Sequence, residues 1–293
     1  MAKETFEIDV RDVEYLRHGE RPLLARIFQP RGQGPFPGIV ELHGGAWCNG
    51  DRNNDGYVNE PLARSGVVVV ALDFRMPPEA AYPASLADIN YGIRWLKLHA
   101  AEFRVRPDCV GAMGISSGGH QAILVGMRPR DPRYTAIPNP AGAPPVDASL
   151  NCAVLCWPVI DPLGRYNYAK KRVAEANDAA LAAVLPSHDA FWKSEAAMAE
   201  GSPTIALERG EKTELPAVLY IQGTDDAVHP RADLERFVSS YRKVGGHVDL
   251  QLAEHEGQAF IRQNPSSPAT ARAIQSIIEF VHNQARSRQG IAA

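Results

Sequence analysis

The sequence predicts an α/β fold in which a mostly parallel, doubly wound central sheet of about eight strands carries helices on both faces. Three observations carry that expectation. Short apolar runs alternate with longer amphipathic stretches along the whole chain. The middle runs are apolar throughout, as in Val67-Val68-Val69-Val70-Ala71-Leu72, which suits parallel strands buried on both faces. With 293 residues and 45% hydrophobic content, the chain can bury the core of one large domain.

Taken in order, Thr5–Val13 and Leu24–Gln29 alternate polar and apolar residues and predict an antiparallel edge. Gly38–Leu42 and Val67–Leu72 follow as buried strands, separated by a helix over Asp55–Ser65. A helix is predicted over Ser85–Glu102 because Leu86, Ile89, Ile93, Leu96 and Ala100 trace one face. The strand Cys109–Met113 then runs into the helix Gly118–Met127. Pro129–Pro145 holds six prolines and few large apolar residues, so it predicts an excursion over the surface. After the strand Cys152–Trp157, the stretch Pro162–Glu208 combines Ala-rich segments with Tyr166, Tyr168, Phe191 and Trp192. It reads as a cap or lid over the carboxyl edge of the sheet, with a long crossover helix as the alternative. The strand Ala217–Gln222, the helix Arg231–Lys243, the strand Val248–Leu252 and the helix Ala269–Gln284 complete the pattern. Residues 1–293 therefore form one domain with a cap insertion at about 162–208, and ligands are expected at the carboxyl ends of the strands.

Composition narrows the partners. Lys plus Arg number 31 against 34 Asp plus Glu, and the net charge of −3 offers no footprint for nucleic acid or an anionic membrane. A small, mostly uncharged molecule is the expected partner. No run approaches ~18 uninterrupted apolar residues, so no membrane span is predicted. No apolar run follows Lys3, so no secretory leader is expected either. The four cysteines, Cys48, Cys109, Cys152 and Cys156, are too scattered for a disulfide framework. Without a Cys-x-x-Cys or a nearby histidine pair they imply no metal, and the expected compartment is the reducing cytoplasm.

Two motifs sit where strands end. Gly114-Ile115-Ser116-Ser117-Gly118 follows one apolar run and opens a helix, the setting of a nucleophile elbow. A serine on such a turn lifts its Oγ above the sheet, and the flanking glycines are needed where a Cβ would collide with backbone. His43-Gly44-Gly45-Ala46-Trp47 follows Gly38–Leu42, and its paired glycines allow successive N–H groups to turn toward one point. Gly44 and Gly45, with the N–H of Ser117, are the candidate oxyanion hole, Ala46 is a further candidate, and His43 is a structural prop. Trp47 and Trp157 are the candidate pocket walls, with Phe191 or Trp192 reaching in from the cap.

Together with Leu72-Asp73-Phe74-Arg75-Met76-Pro77-Pro78-Glu79 and Tyr82-Pro83-Ala84-Ser85-Leu86-Ala87-Asp88, these motifs make the chain resemble the α/β-hydrolases of the hormone-sensitive-lipase-like esterase group. The group's usual Asp-Tyr-Arg-Leu-Ala-Pro-Glu is met here with Phe74 for Tyr, Met76 for Leu and Pro77 for Ala. The resemblance spans roughly residues 35 to 280. It implies a carboxylesterase-type serine hydrolase that needs no cofactor, with Ser116 as nucleophile. It also implies a carboxylate after the next-to-last strand, which the group's Gly-x-x-Asp spacing assigns to Asp226, with Asp225 as the adjacent alternative. Where the group shows a histidine before an aromatic residue, this chain has Gln258, two positions before Phe260. Two readings stay open: His255, three positions earlier, turns toward Ser116, or the base is absent. His229, His120 and His188 are the weaker candidates. The His-Gly-Gly-x-Trp string also resembles the oxyanion motif of arylformamidases, which makes an aryl amide or carbamate hydrolase one alternative function. A ligand-binding protein on a hydrolase scaffold without its base, as in plant gibberellin receptors, is the other. The sequence does not decide the oligomeric state; the last sheet edge and the helix Ala269–Gln284 are the places where such domains often pair, and a homodimer there is one option.

Overall fold

Eight strands make one sheet: β1 (Ile8–His18), β2 (Arg21–Pro30), β3 (Phe36–Leu42), β4 (Val68–Leu72), β5 (Val105–Ile115), β6 (Cys152–Cys156), β7 (Ala217–Gly223) and β8 (Val248–Ala253). Their order is β1-β2-β4-β3-β5-β6-β7-β8. The computed structural model describes residues 5–291, with side chains described through Arg288. Residues 1–4, part of the stretch read for a leader peptide, and residues 292–293 lie outside the described residues.

The hairpin β1–β2 joins the sheet antiparallel to β4, and every neighbour from β4 to β8 is parallel. This agrees with the split between alternating edge strands and continuously apolar central ones. All eight strand segments expected from the sequence are present, and pairing corrects their ends. β1 runs on to His18 because Leu16 faces Leu23 and His18 faces Arg21 across the hairpin. β5 starts at Val105 rather than Cys109 because Val105 pairs with Phe36.

Crossover helices cover both faces. On one side α2 (Ala84–Leu98), α3 (Ser117–Met127) and α9 (Arg231–Lys243) pack Leu86, Ile89, Ile123 and Phe237 against Val40, Val70 and Leu155. On the other, α1 (Gly56–Arg64) and α11 (Pro268–Ile291) bring Val58, Leu62, Ile277 and Phe280 onto Ile39, Val69 and Ile221. Between β6 and β7 lie five helices, α4 (Pro162–Ala176), α5 (Ala179–Ala182), α6 (Leu185–Trp192), α7 (Glu195–Glu200) and α8 (Pro203–Glu208), where the sequence suggested a cap or one long crossover. Short α10 (Phe260–Gln263) follows β8. The proline-rich stretch after α3 forms no helix or strand.

Two motif acids tie the scaffold together beneath the site. The Asp88 carboxylate, fully buried in α2, accepts from the Arg75 amide at 2.9 Å, from the Arg75 guanidinium and from His18 Nε2 at 2.8 Å. Asp73 accepts from the Arg52 amide and guanidinium, which clamps the loop after β3 to the end of β4. Their role is thus to shape the loops at the carboxyl edge.

Candidate active site

The elbow lies between β5 and α3. Ser116 has φ 52° and ψ −114°, a backbone state that a side chain rarely adopts, so its geometry is held by packing around it. The flanking glycines are obligatory in space. A Cβ on Gly114 would stand 2.3 Å from the Gly118 carbonyl, and one on Gly118 would stand 2.0 Å from the Leu42 oxygen.

The partner of Ser116 is His229. Its Nε2 lies 3.3 Å from Ser116 Oγ, and its Nδ1 lies 2.8 Å from Asp226 Oδ2. A short loop between β7 and α9 makes this meeting local. The other Asp226 oxygen, Oδ1, accepts the amides of Val228 and His229 at 2.9 and 3.0 Å, an Asx-type turn that places residues 226 and 229 side by side. Buried Gln222 then donates to the His229 carbonyl at 2.9 Å and pins the turn to the end of β7. With Nδ1–H directed at the carboxylate, Nε2 is left as the acceptor facing the serine.

Electrostatics follow from burial. Burial opposes the charged form of Asp226, but the adjacent imidazole and the two amides outweigh it and hold the carboxyl below its ordinary range. Burial drives His229 below the ordinary histidine value; Asp226 works against that shift, and the positive charge of Arg165 adds to it. The imidazole is therefore neutral and able to accept a proton at neutral pH.

The other candidates lie elsewhere. His255 is exposed with φ 61°, and its amide donates to Thr224 Oγ1, so the structure does not bring the expected base to Ser116. Its loop docks by backbone: the Glu256 oxygen would lie 2.0 Å from a Cβ on Gly223 and accepts the Asp225 amide. Asp225 is exposed beside Thr224. His120 accepts the Trp47 indole N–H at Nδ1 and meets the Gly201 carbonyl at Nε2, and burial pushes it down to about 4. His43 stacks on Phe74 with ring centroids 4.3 Å apart and holds the Gly44 carbonyl. The signal for His229 was Asp-x-x-His in one tight loop together with Gln258 where a histidine is usual; only the turn geometry gives it meaning.

Opposite the serine, Gly44 comes within 3.5 Å of Ser116 Cβ when a Cβ is built on it, so the glycine loop lies directly against the elbow. Gly45 has φ 117°, and Ala46 and Trp47 also have positive φ. Among the described residues, none of the amides of Gly44, Gly45 and Ala46 donates to a backbone carbonyl. Ser117 opens α3, where amides lack helical partners, and its hydroxyl accepts the Trp47 amide at 3.1 Å, locking loop to helix.

A cavity of about 410 Å³ joins these parts. Ser116, Gly44, Gly45, Trp157, Arg165 and Gln258 all line it, as do Ala183, Val184 and Ser187 from the segment between β6 and β7. Trp157, a candidate pocket wall, is among these lining residues. Trp47 is not: it is buried in a separate cluster with Phe191, Trp192 and Met198, because its indole is drawn to His120 and stacks on Phe191. Among the described residues no group of three or more His, Cys, Asp or Glu is placed to hold a metal, all four cysteines are free, and no helix is long and apolar enough to cross a membrane.

The BD-FAE family model matches residues 26–241. The chain is 28% identical over 270 residues to esterase LipC of Mycobacterium tuberculosis, a match covering 88% of this chain and 61% of that protein. It is 34% identical over 125 residues to carboxylic ester hydrolase LipN of the same organism, covering 42% of this chain and 33% of the relative. The chain thus spans about three fifths or less of the length of these curated relatives. Among solved structures, an esterase of Pyrobaculum calidifontis superposes with a TM-score of 0.77 at 22% identity, covering 94% of this chain and 85% of that one. The fold is the α/β-hydrolase fold.

Proposed function

The chain belongs to the BD-FAE family, and on that premise we propose that it hydrolyses a carboxylic ester of a small, mostly uncharged substrate through an acyl-enzyme on Ser116. The observation that carries this reading is the continuous chain from Ser116 Oγ through His229 to Asp226. Ser116 attacks the ester carbonyl while His229 Nε2 takes its proton. The imidazolium so formed is stabilised by the Asp226 carboxylate, which stays ionised because its amide donors favour the anion. The oxyanion is received by the amides of Gly44, Gly45 and Ser117, whose donors are aimed before charge develops. His229 then delivers its proton to the leaving alkoxide, and water, deprotonated by the same imidazole, releases the acid.

Placing the base at His229 removes the ground for a scaffold that binds without turnover, since Gln258 need not supply a base. Helices α4–α8 are read as the cap, a reading supported by Ala183, Val184 and Ser187 on the cavity wall. The names of the relatives favour esters over amides. The test is turnover of short p-nitrophenyl esters by the native chain, with a loss of at least ~10⁴-fold in kcat/KM in Ser116→Ala. A native chain inert toward every such ester, or a Ser116→Ala variant as active as the native one, overturns the proposal.

A further inference from the structure

Arg165 is 2% exposed in the first turn of α4, yet it lines the same cavity as Ser116. Its Nε and Nη1 are sealed from solvent with no acceptor, and no ion pair reaches its guanidinium among the described residues. Its guanidinium carbon lies over the face of Trp47, 5.9 Å from the ring centroid, a cation–π contact that offers no hydrogen bond. A buried guanidinium with unmet donors is costly, and cores rarely carry one without a partner.

The neighbouring charges do not cancel it. Burial lowers Arg165 to about 10, with Asp226 and Asp233 pulling the other way, so it is protonated at neutral pH. Asp226 is committed to His229, and Asp233 is itself pushed up to about 7 by burial and the Asp161 carboxylate. His188, buried beside it with both ring nitrogens unpartnered, is driven down to about 2 by burial and by the Arg165 charge, so it adds no positive charge. On the cavity wall the buried Asp55 carboxyl is pushed upward, chiefly by burial, and Arg262 stands exposed at the rim.

We infer that Arg165 is an anion anchor in the Ser116 cavity, and that the preferred ester carries a free carboxylate in addition to the bond being cleaved. The inference rests on the hydrolase reading for its substrate and on Arg165 alone for the anion. A carboxylate on an otherwise uncharged ester bound in the cavity is attracted by this desolvated charge. A chain of net charge −3, with no attracting field overall, would on this inference make the selection through one desolvated contact inside the cavity.

Two substrate pairs test it: p-nitrophenyl hemisuccinate against p-nitrophenyl butyrate for a carboxylate on the acyl side, and p-acetoxybenzoate against its methyl ester for one on the alcohol side. The native chain is expected to favour the carboxylate member of at least one pair. Arg165→Met should lower that selectivity ratio roughly 10- to 100-fold, mainly through KM, and Arg165→Lys should keep part of it. Native ratios near one in both pairs, or an equal loss on both members in Arg165→Met, overturn the inference. Inhibition by succinate but not by succinamide, measured on the native chain, supports it without any variant, and equal inhibition by the two overturns it. If no ester is turned over, the hydrolase reading fails by itself. Calorimetry with succinate then decides the anchor: binding that weakens at least 10-fold in Arg165→Met supports it, and no binding to the native chain overturns it.

Discussion

Replacing His229 with alanine removes the imidazole whose Nε2 stands 3.3 Å from Ser116 Oγ, and among the described residues no other titratable side chain hydrogen-bonds that oxygen. Without a base the serine must lose its proton to water, so kcat/KM should fall about 10⁴-fold, equivalent to about 5 kcal/mol of transition-state stabilisation. The backbone should survive the change. The amides of residues 228 and 229 still reach Asp226 Oδ1, and Gln222 still holds the 229 carbonyl. Two groups lose their partner: Ser116 Oγ, which lines the cavity, and Asp226 Oδ2, at a site 9% exposed, whose loss costs on the order of 1–3 kcal/mol of stability. Initial rates on a short p-nitrophenyl ester, with thermal melts of the same samples, separate lost catalysis from lost folding. His255→Ala is the control, and as an exposed loop residue it should stay within about 3-fold of the native rate. A loss of 10²-fold or more in His255→Ala with His229→Ala still active would refute the assignment, as would a gain of that size from Gln258→His alone.

The pH dependence has a definite sign. Since burial, Arg165 and the opposing Asp226 leave His229 below the ordinary value of 6.5, the acid limb of kcat/KM should have its midpoint below 6.5, and Arg165→Met should move that midpoint upward. An acid midpoint above 6.5 in the native chain would contradict the burial seen at His229. Stability should fall in the same direction: buried His120 resists protonation down to about 4, whereas the unfolded chain takes up its proton near 6.5, so stability is lost as pH drops between those values, by roughly 3 kcal/mol from this group. Denaturant titrations of the native chain and His120→Gln across that window measure it. Asp88→Ala should cost about 3 kcal/mol, or about 5 °C in Tm, because it strands the half-buried Arg75 guanidinium and the Arg75 amide; a calorimetric shift under 1 °C would show that this pair is not structural.

Much of the molecule is decided locally and was therefore legible in the residues. Continuous apolar runs such as Val67–Leu72 belong on central parallel strands, the glycines around Ser116 stand where only glycine fits, and Gly44-Gly45 follows a strand end. Asp226 came from the Gly-x-x-Asp spacing of the group the chain resembles, with Asp225 as the adjacent alternative. What the chain order could not decide was which histidine meets the serine. His255 and His229 both follow strands at the same edge, and their ring positions depend on loop backbones that no periodicity describes. Tertiary structure chose His229 because the Asp226 turn and Gln222 fold a three-residue spacing into one contact, while the docking of Glu256 on Gly223 turns His255 to solvent. The surroundings of Trp47 were undecided for a related reason: its indole packs with His120 and Phe191, which are distant in sequence. Arg165, unremarkable as one basic residue among many in the sequence, gains its meaning from burial without a partner, a property that exists only once α4 has packed beside the cavity.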